Sequence, residues 1–246
     1  MEEIPWRKYD EHNVLDKLIE SSEAFKKFYE AERNKISREI FWCLDPSLPT
    51  GINVRDTAIG RVGQEKEEVL VIRLKKIPAT RQEGVGIASA LEGFIFDSQG
   101  LMSTRVIDKK FELISSTLNS MLRVPFLHKR LAEFGFDLKA NYNAGREEDY
   151  RQLRQRKDEP KSRLEIVHWV FNYVRVILYW SDVLGNPENV DSEFQAWFDV
   201  RYPGIAREGR ELLKIVRSIG YDEPEKMNKL FRNIIKRYKL NGMVYP

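Results

Sequence analysis

The chain predicts a mainly helical, α+β fold: a helical protein with a small antiparallel β-sheet or hairpin near residues 67–110. Three observations predict it. Apolar residues recur at helical spacing over most of the chain. One stretch, 164–184, is apolar on every face. The β-branched run Val69-Leu70-Val71-Ile72-Arg73-Leu74 stands outside the helical period. With 42% hydrophobic and 32% charged residues over 246 positions, the chain is globular rather than disordered and can bury a core.

From the N-terminus, Val14, Leu15, Leu18, Ile19, Phe25, Phe28, Tyr29, Ile36, Ile40 and Phe41 read as one long helix. Asp45-Pro46 and Pro49-Thr50-Gly51 end it. Cys43 falls on its apolar face as a small core hydrophobe, and a single cysteine excludes a disulfide framework and a Cys-rich zinc site. Residues 51–66 read as loop or weak strand, and 69–74 as a buried strand. Glu83-Gly84-Val85-Gly86 reads as a turn. Phe94-Ile95-Phe96-Asp97 and Thr104-Arg105-Val106-Ile107-Asp108, around Ser98-Gln99-Gly100, read as a hairpin.

Beyond residue 111 the period is helical again. Leu113, Ile114, Leu118, Met121 and Leu122 form one stripe, stopped near Pro125; Leu127, Leu131 and Phe134 form another. Residues 140–162 are polar, with apolar anchors at Tyr150 and Leu153. They suggest a boundary between an α+β part, 1–142, and a helical part, 146–246, unless the two form one continuous domain. Ser162 sits where an N-cap opens the apolar helix, and Gly185-Asn186-Pro187 ends that helix. A short aromatic helix around Phe194, Trp197 and Phe198 precedes a break at Tyr202-Pro203-Gly204. Of the two amphipathic helices that follow, the last is the more regular: Met227, Leu230, Phe231, Ile234, Ile235 and Tyr238, with Pro224 in its first turn.

The charged segment Met1–Tyr9 has no apolar core of a signal peptide, and 166–180 is too short and too often interrupted for a membrane span. A cytoplasmic protein without a membrane partner is expected. The net charge of +3 is unevenly spread: +5 over 105–163, −5 over 164–200 and +6 over 201–246. Two basic blocks around an acidic one suit nucleic acid (DNA or RNA) or an acidic protein partner, and equally suit ordinary solvated helix faces.

Two constellations suggest chemistry. Asp97, Asp108 and Lys110 form D-x10-D-x-K across the expected hairpin, a spacing that resembles the metal site of restriction-type nucleases. That resemblance implies two carboxylates holding Mg²⁺ and a lysine orienting the attacking water. The alternative is a charged hairpin facing water. Arg123-x4-His128 and Arg163-x4-His168 have the R-x4-H spacing of helical ribonucleases of the HEPN class. There the resemblance implies a metal-independent homodimer, with arginine stabilising the oxyanion and histidine moving the proton. Leu164 and Val124 stand where that class usually has a polar residue, and His168 can equally be a hydrogen-bonded core histidine. A third reading is a non-catalytic interaction module that docks its partner through Lys229, Arg232 and Lys236 on the last helix. P-loop, G-x-G-x-x-G, G-x-S-x-G, H-E-x-x-H and EF-hand motifs are absent. Tyr142, Tyr150, Tyr202 and Tyr238 interleave with charge and are candidates for stacking on bases.

Overall fold

The computed structural model describes residues 8–48, 58–61, 68–140, 142–143, 146–147, 151, 160–186 and 192–245. The expected weak strand or loop at 51–57 and 62–66, Tyr150, Leu153 and much of the polar connector lie outside them. The fold is mainly α with a small β part. The chain divides into two compact units: Met1–Phe96 with Glu133–Phe136, and Asp97–Ala132 with Asp137–Pro246.

In the first unit β1 (Lys8–Tyr9) leads into α1 (Glu11–Ser21) and α2 (Glu23–Glu32). The expected single long helix is therefore two. Ser22 leaves helical geometry and caps α2, its hydroxyl accepting from the Phe25 N–H at 3.3 Å. Ile40 and Phe41 are not helical; they open β2 (Ile40–Leu44), so Cys43 sits buried in a strand. β2 lies between β1, antiparallel, and β4 (Glu68–Leu74), parallel, with β3 (Ala58–Arg61) antiparallel on the far edge of β4. Val71 and Ile72 point to opposite faces of β4 and both are fully buried, as in a strand covered on two sides.

One ion-paired knot holds this unit. The Glu11 carboxylate accepts from Arg33 Nε at 2.7 Å and Nη2 at 2.9 Å, from Trp42 Nε1 at 3.2 Å, and from the Tyr29 hydroxyl. Burial pushes the Glu11 carboxyl up, but the hydrogen bonds from Arg33, Tyr29 and Trp42 and the Arg33 charge outweigh it and hold the group below the usual range.

The β4 strand is followed by α3 (Arg81–Ser98), which overturns two expectations. Glu83–Gly86 is helix, not turn, and Phe94–Asp97 is helix, not the first arm of a hairpin. Thr80 and Glu83 make the return half of a capping box, the Thr80 N–H and hydroxyl both donating to Glu83 Oε2 while the Glu83 N–H donates to the Thr80 carbonyl. Gly84 is tolerated inside the helix because a Cβ there would stand 3.2 Å from Leu18 Cδ1, so its absence lets α3 settle on α1.

The second unit begins with the end of α3. Its β5 (Arg105–Val106) pairs antiparallel with β6 (Val244–Tyr245), not with 94–97. The next helix, α4 (Glu112–Glu133), runs straight through Pro125, which was expected to stop it. An internal proline costs a helix about 3 kcal/mol. Met121, Leu122, Phe126 and Leu127 are all buried around it, and burying each side chain returns roughly 1.5–3 kcal/mol, so packing wins.

The apolar helix, α5 (Arg163–Leu178), opens on Ser162 as expected, its hydroxyl accepting from the Glu165 N–H, and continues as a π-helical turn over Tyr179–Val183. Next come α6 (Ser192–Arg201), α7 (Pro203–Ile219) and α8 (Pro224–Arg237). The residues expected to line the inner face of α8, Met227, Leu230, Phe231, Ile234 and Ile235, are all buried. Gly209 of α7 admits the Tyr173 ring of α5, and this close approach brings the two helices together. Among the described residues no helix is long and apolar enough to cross a membrane.

Candidate functional site

Asp97 and Asp108 stand in settings quite unlike two facing strands. Asp97 lies in the last turn of α3, where its Oδ1 accepts from Arg123 Nη2 at 2.7 Å. The other arm of that guanidinium donates to the Met102 carbonyl at 3.2 Å, so the pair braces the chain leaving the helix. Asp108 caps the short 3-10 turn Lys109–Phe111. Its Oδ1 accepts from the Lys110 N–H at 3.0 Å, and its Oδ2 lies 2.9 Å from Lys110 Nζ. Lys110, through side chain and backbone, holds the Asp108 carboxyl below the usual range. Each carboxylate thus has its own cation, and the strand pairing expected to aim both at one Mg²⁺ is not formed. Among the described residues no group of three or more His, Cys, Asp or Glu is gathered closely enough to hold a metal ion.

The R-x4-H pairs turn to separate partners. Arg163 Nη2 donates to the Tyr238 carbonyl and, at 3.3 Å, to that of Lys239, closing the C-terminal end of α8. His168 lies one turn on and faces α4. The Thr117 hydroxyl gives its proton to the Leu113 carbonyl at 2.6 Å, so at 2.8 Å from His168 Nδ1 it accepts. Asn172 Nδ2 then donates to His168 Nε2 at 3.0 Å. Both ring nitrogens are therefore engaged, Nδ1 with Thr117 and Nε2 with Asn172. His128 packs edge-on against Tyr179, its Nδ1 2.6 Å from the phenolic oxygen, and burial lowers its pKa to about 4.

The third set of candidates stands on an open face. With one side of α8 sunk in the core, Lys229, Arg232 and Lys236 project from the other, at i, i+3 and i+7, and all three are exposed. Lys239 follows one turn later, also exposed. The cations nearby that do carry carboxylates are different ones: Lys226 with Asp222 and Glu223, and Arg237 with Glu208. Among the described residues Arg232 reaches the Met102 sulfur, at 3.7 Å. The stripe is therefore a row of positive charge that no carboxylate neutralises among the described residues.

The neighbouring backbone is rigidly placed. Asn228 of α8 accepts from the Met102 N–H and donates to the Gly100 carbonyl, both at 2.8 Å. Asn119 of α4 accepts from the Thr104 N–H at 2.8 Å and donates to its carbonyl at 3.0 Å. Two side-chain amides thus act as peptide groups and hold 100–104 like a strand between α4 and α8. The tyrosines expected to stack on bases do not qualify: Tyr142, Tyr202 and Tyr238 are buried, and Tyr150 lies outside the described residues. The exposed aromatic at this face is Tyr245, which has no flanking period to announce it.

Comparison with protein-family models, curated proteins and solved structures finds no match to this chain.

Proposed function

We propose that this protein is a nucleic-acid-binding module, and that the exposed face of α8 is its phosphate contact. The exposed row Lys229, Arg232 and Lys236, continued by Lys239 and without a carboxylate partner among the described residues, carries the reading. A helix that is apolar on one side and, on the other, a row of cations with no carboxylate partner among the described residues offers successive charges to a chain of phosphates, and the counterions released on contact favour association. The settings of the other candidates agree with a module that binds without cleaving. Arg123 and Lys110 neutralise the two aspartates, and His168 and Arg163 are bound into the packing of α4, α5 and α8.

Mobility shifts with DNA and RNA at several salt concentrations test the reading. Three phosphate contacts give a slope of log affinity against log salt of about −2 to −3. Binding should persist in EDTA, and added Mg²⁺ should act only as a competing counterion that lowers affinity. Retention of full affinity after charge reversal at all three helix positions would remove the proposal.

A further inference from the structure

Resting on that reading, we infer that the nucleic acid is single-stranded, its bases stacking on the outer face of the β5–β6 ribbon while its phosphates follow α8. In the ribbon Arg105 stands opposite Tyr245 and Val106 opposite Val244. The Ile107 N–H continues the register by donating to the Met243 carbonyl at 3.2 Å. Side chains alternate along a strand, so Arg105, Ile107, Met243 and Tyr245 share one face. Val244, on the other face, is 2% exposed, whereas Ile107 is 62% and Tyr245 45% exposed. An isoleucine and a tyrosine left this open, with a guanidinium directly across from the ring, make an apolar facet edged by charge.

The hydrogen bonds place this facet beside the cationic stripe. Gly100 and Met102 are tied to Asn228, near the start of α8, and Met102 also touches Arg232. Five residues further on, Ile107 is tied to Met243, and the Val244 N–H donates to the Leu240 carbonyl just past the end of α8. The segment 100–107 therefore runs along α8 in the same direction as the helix. The facet lies at the end of the helix that carries Lys236 and Lys239. The one carboxylate of the turn after β5, Asp108, is held by Lys110.

The occupant follows from charge and from what each ligand exposes. A duplex keeps its base faces stacked inside and offers phosphates and groove edges, so an aromatic beside the phosphate row gains little from it. A single strand offers π-faces next to its phosphates, and both tyrosine and arginine stack on them with little regard to sequence.

The test uses the full chain with a fluorescent single-stranded oligonucleotide and the same sequence as a duplex, read by anisotropy. The wild type should prefer the single strand. Tyr245→Ala should lower single-strand affinity about ten-fold, the scale of one lost stack, leaving duplex affinity and the salt slope unchanged. Tyr245→Trp should restore the affinity. A wild type that binds duplex at least as tightly, or a Tyr245→Ala protein with unchanged single-strand affinity, overturns this inference. If charge reversal on α8 still abolishes binding in that case, the phosphate-contact reading stands alone. Failure of the wild type to bind either ligand at low salt overturns both.

Discussion

The His168 imidazole donates from Nδ1 to Thr117 Oγ1 across 2.8 Å, because the threonine has already given its proton to Leu113. That contact joins α5 to α4, and with Asn172 on Nε2 it leaves the ring no nitrogen to offer a substrate. A residue chosen for proton transfer on spacing alone is, in the folded chain, a bolt between two helices.

His168→Ala should therefore act on stability and not on binding. Thr117 and Asn172 are both buried; Thr117 would keep its bond to Leu113, whereas Asn172 Nδ2 would lose its His168 acceptor, at about 1–3 kcal/mol for a buried polar group left without it. Thermal melting should show the loss, while nucleic-acid affinity of the folded protein stays the same. A weakened complex with unchanged melting would speak against the assignment.

Gly209→Ala should be among the most damaging single-atom additions. The new Cβ would lie within 3.1 Å of three carbons of the fully buried Tyr173 ring. Overpacking of this kind costs roughly 1–3 kcal/mol. Calorimetry on Gly209→Ala and Tyr173→Leu/Gly209→Ala decides it, since the smaller side chain should recover part of the loss.

Acid should weaken the fold through His128. Its folded pKa, about 4, lies below the ordinary imidazole value of 6.5, so the unfolded chain binds the extra proton between those values. The stability that the neutral ring confers is present above pH 6.5 and is lost as pH falls towards 4. It amounts to at most about 3 kcal/mol, less for the part-exposed edge of the ring. Urea titrations across that range should show the slope, and His128→Phe should flatten it. An unchanged slope in the variant would assign the acid sensitivity elsewhere.

Asp97→Ala should loosen the chain between α3 and β5 rather than abolish a metal-dependent reaction. It strips the carboxylate from Arg123, whose side chain is 14% exposed and which also holds the Met102 carbonyl. Faster hydrogen exchange over residues 98–104 is the expected result. Mg²⁺-dependent cleavage by the wild type that disappears in both Asp97→Ala and Asp108→Ala, with exchange unaltered, would reinstate the nuclease expectation.

How far the fold could be read in the chain depended on how local its causes are. The Ser162 cap, the buried run ending at Leu74 and the inner stripe of α8 are written in neighbouring residues, and all three formed as expected. Phe94-Ile95-Phe96 was ambiguous, since a short apolar run fits a buried helix as well as a strand. The local clue that decides it, the Thr80–Glu83 capping box, lies fourteen residues upstream of Phe94. Gly100 does mark a reversal, at φ 86°, but as the stop after a helix, its N–H bonded to the Asp97 carbonyl. Ile40 and Phe41 joined a strand because β4 lies beside them, and Arg105 pairs with a residue at the far end of the chain; neither partnership has a local signature. Of the candidate sites, the α8 cations could be read from helical periodicity. Tyr245 could not, because its neighbours are set by that distant pairing.

The measurement that bears most directly on the central claim is the salt dependence of nucleic-acid binding by the wild type and by the triple variant Lys229→Glu, Arg232→Glu, Lys236→Glu, with both proteins shown folded by circular dichroism. The wild type should give a slope of about −2 to −3, and the variant should lose binding. Equal affinities and equal slopes for the two proteins would contradict it.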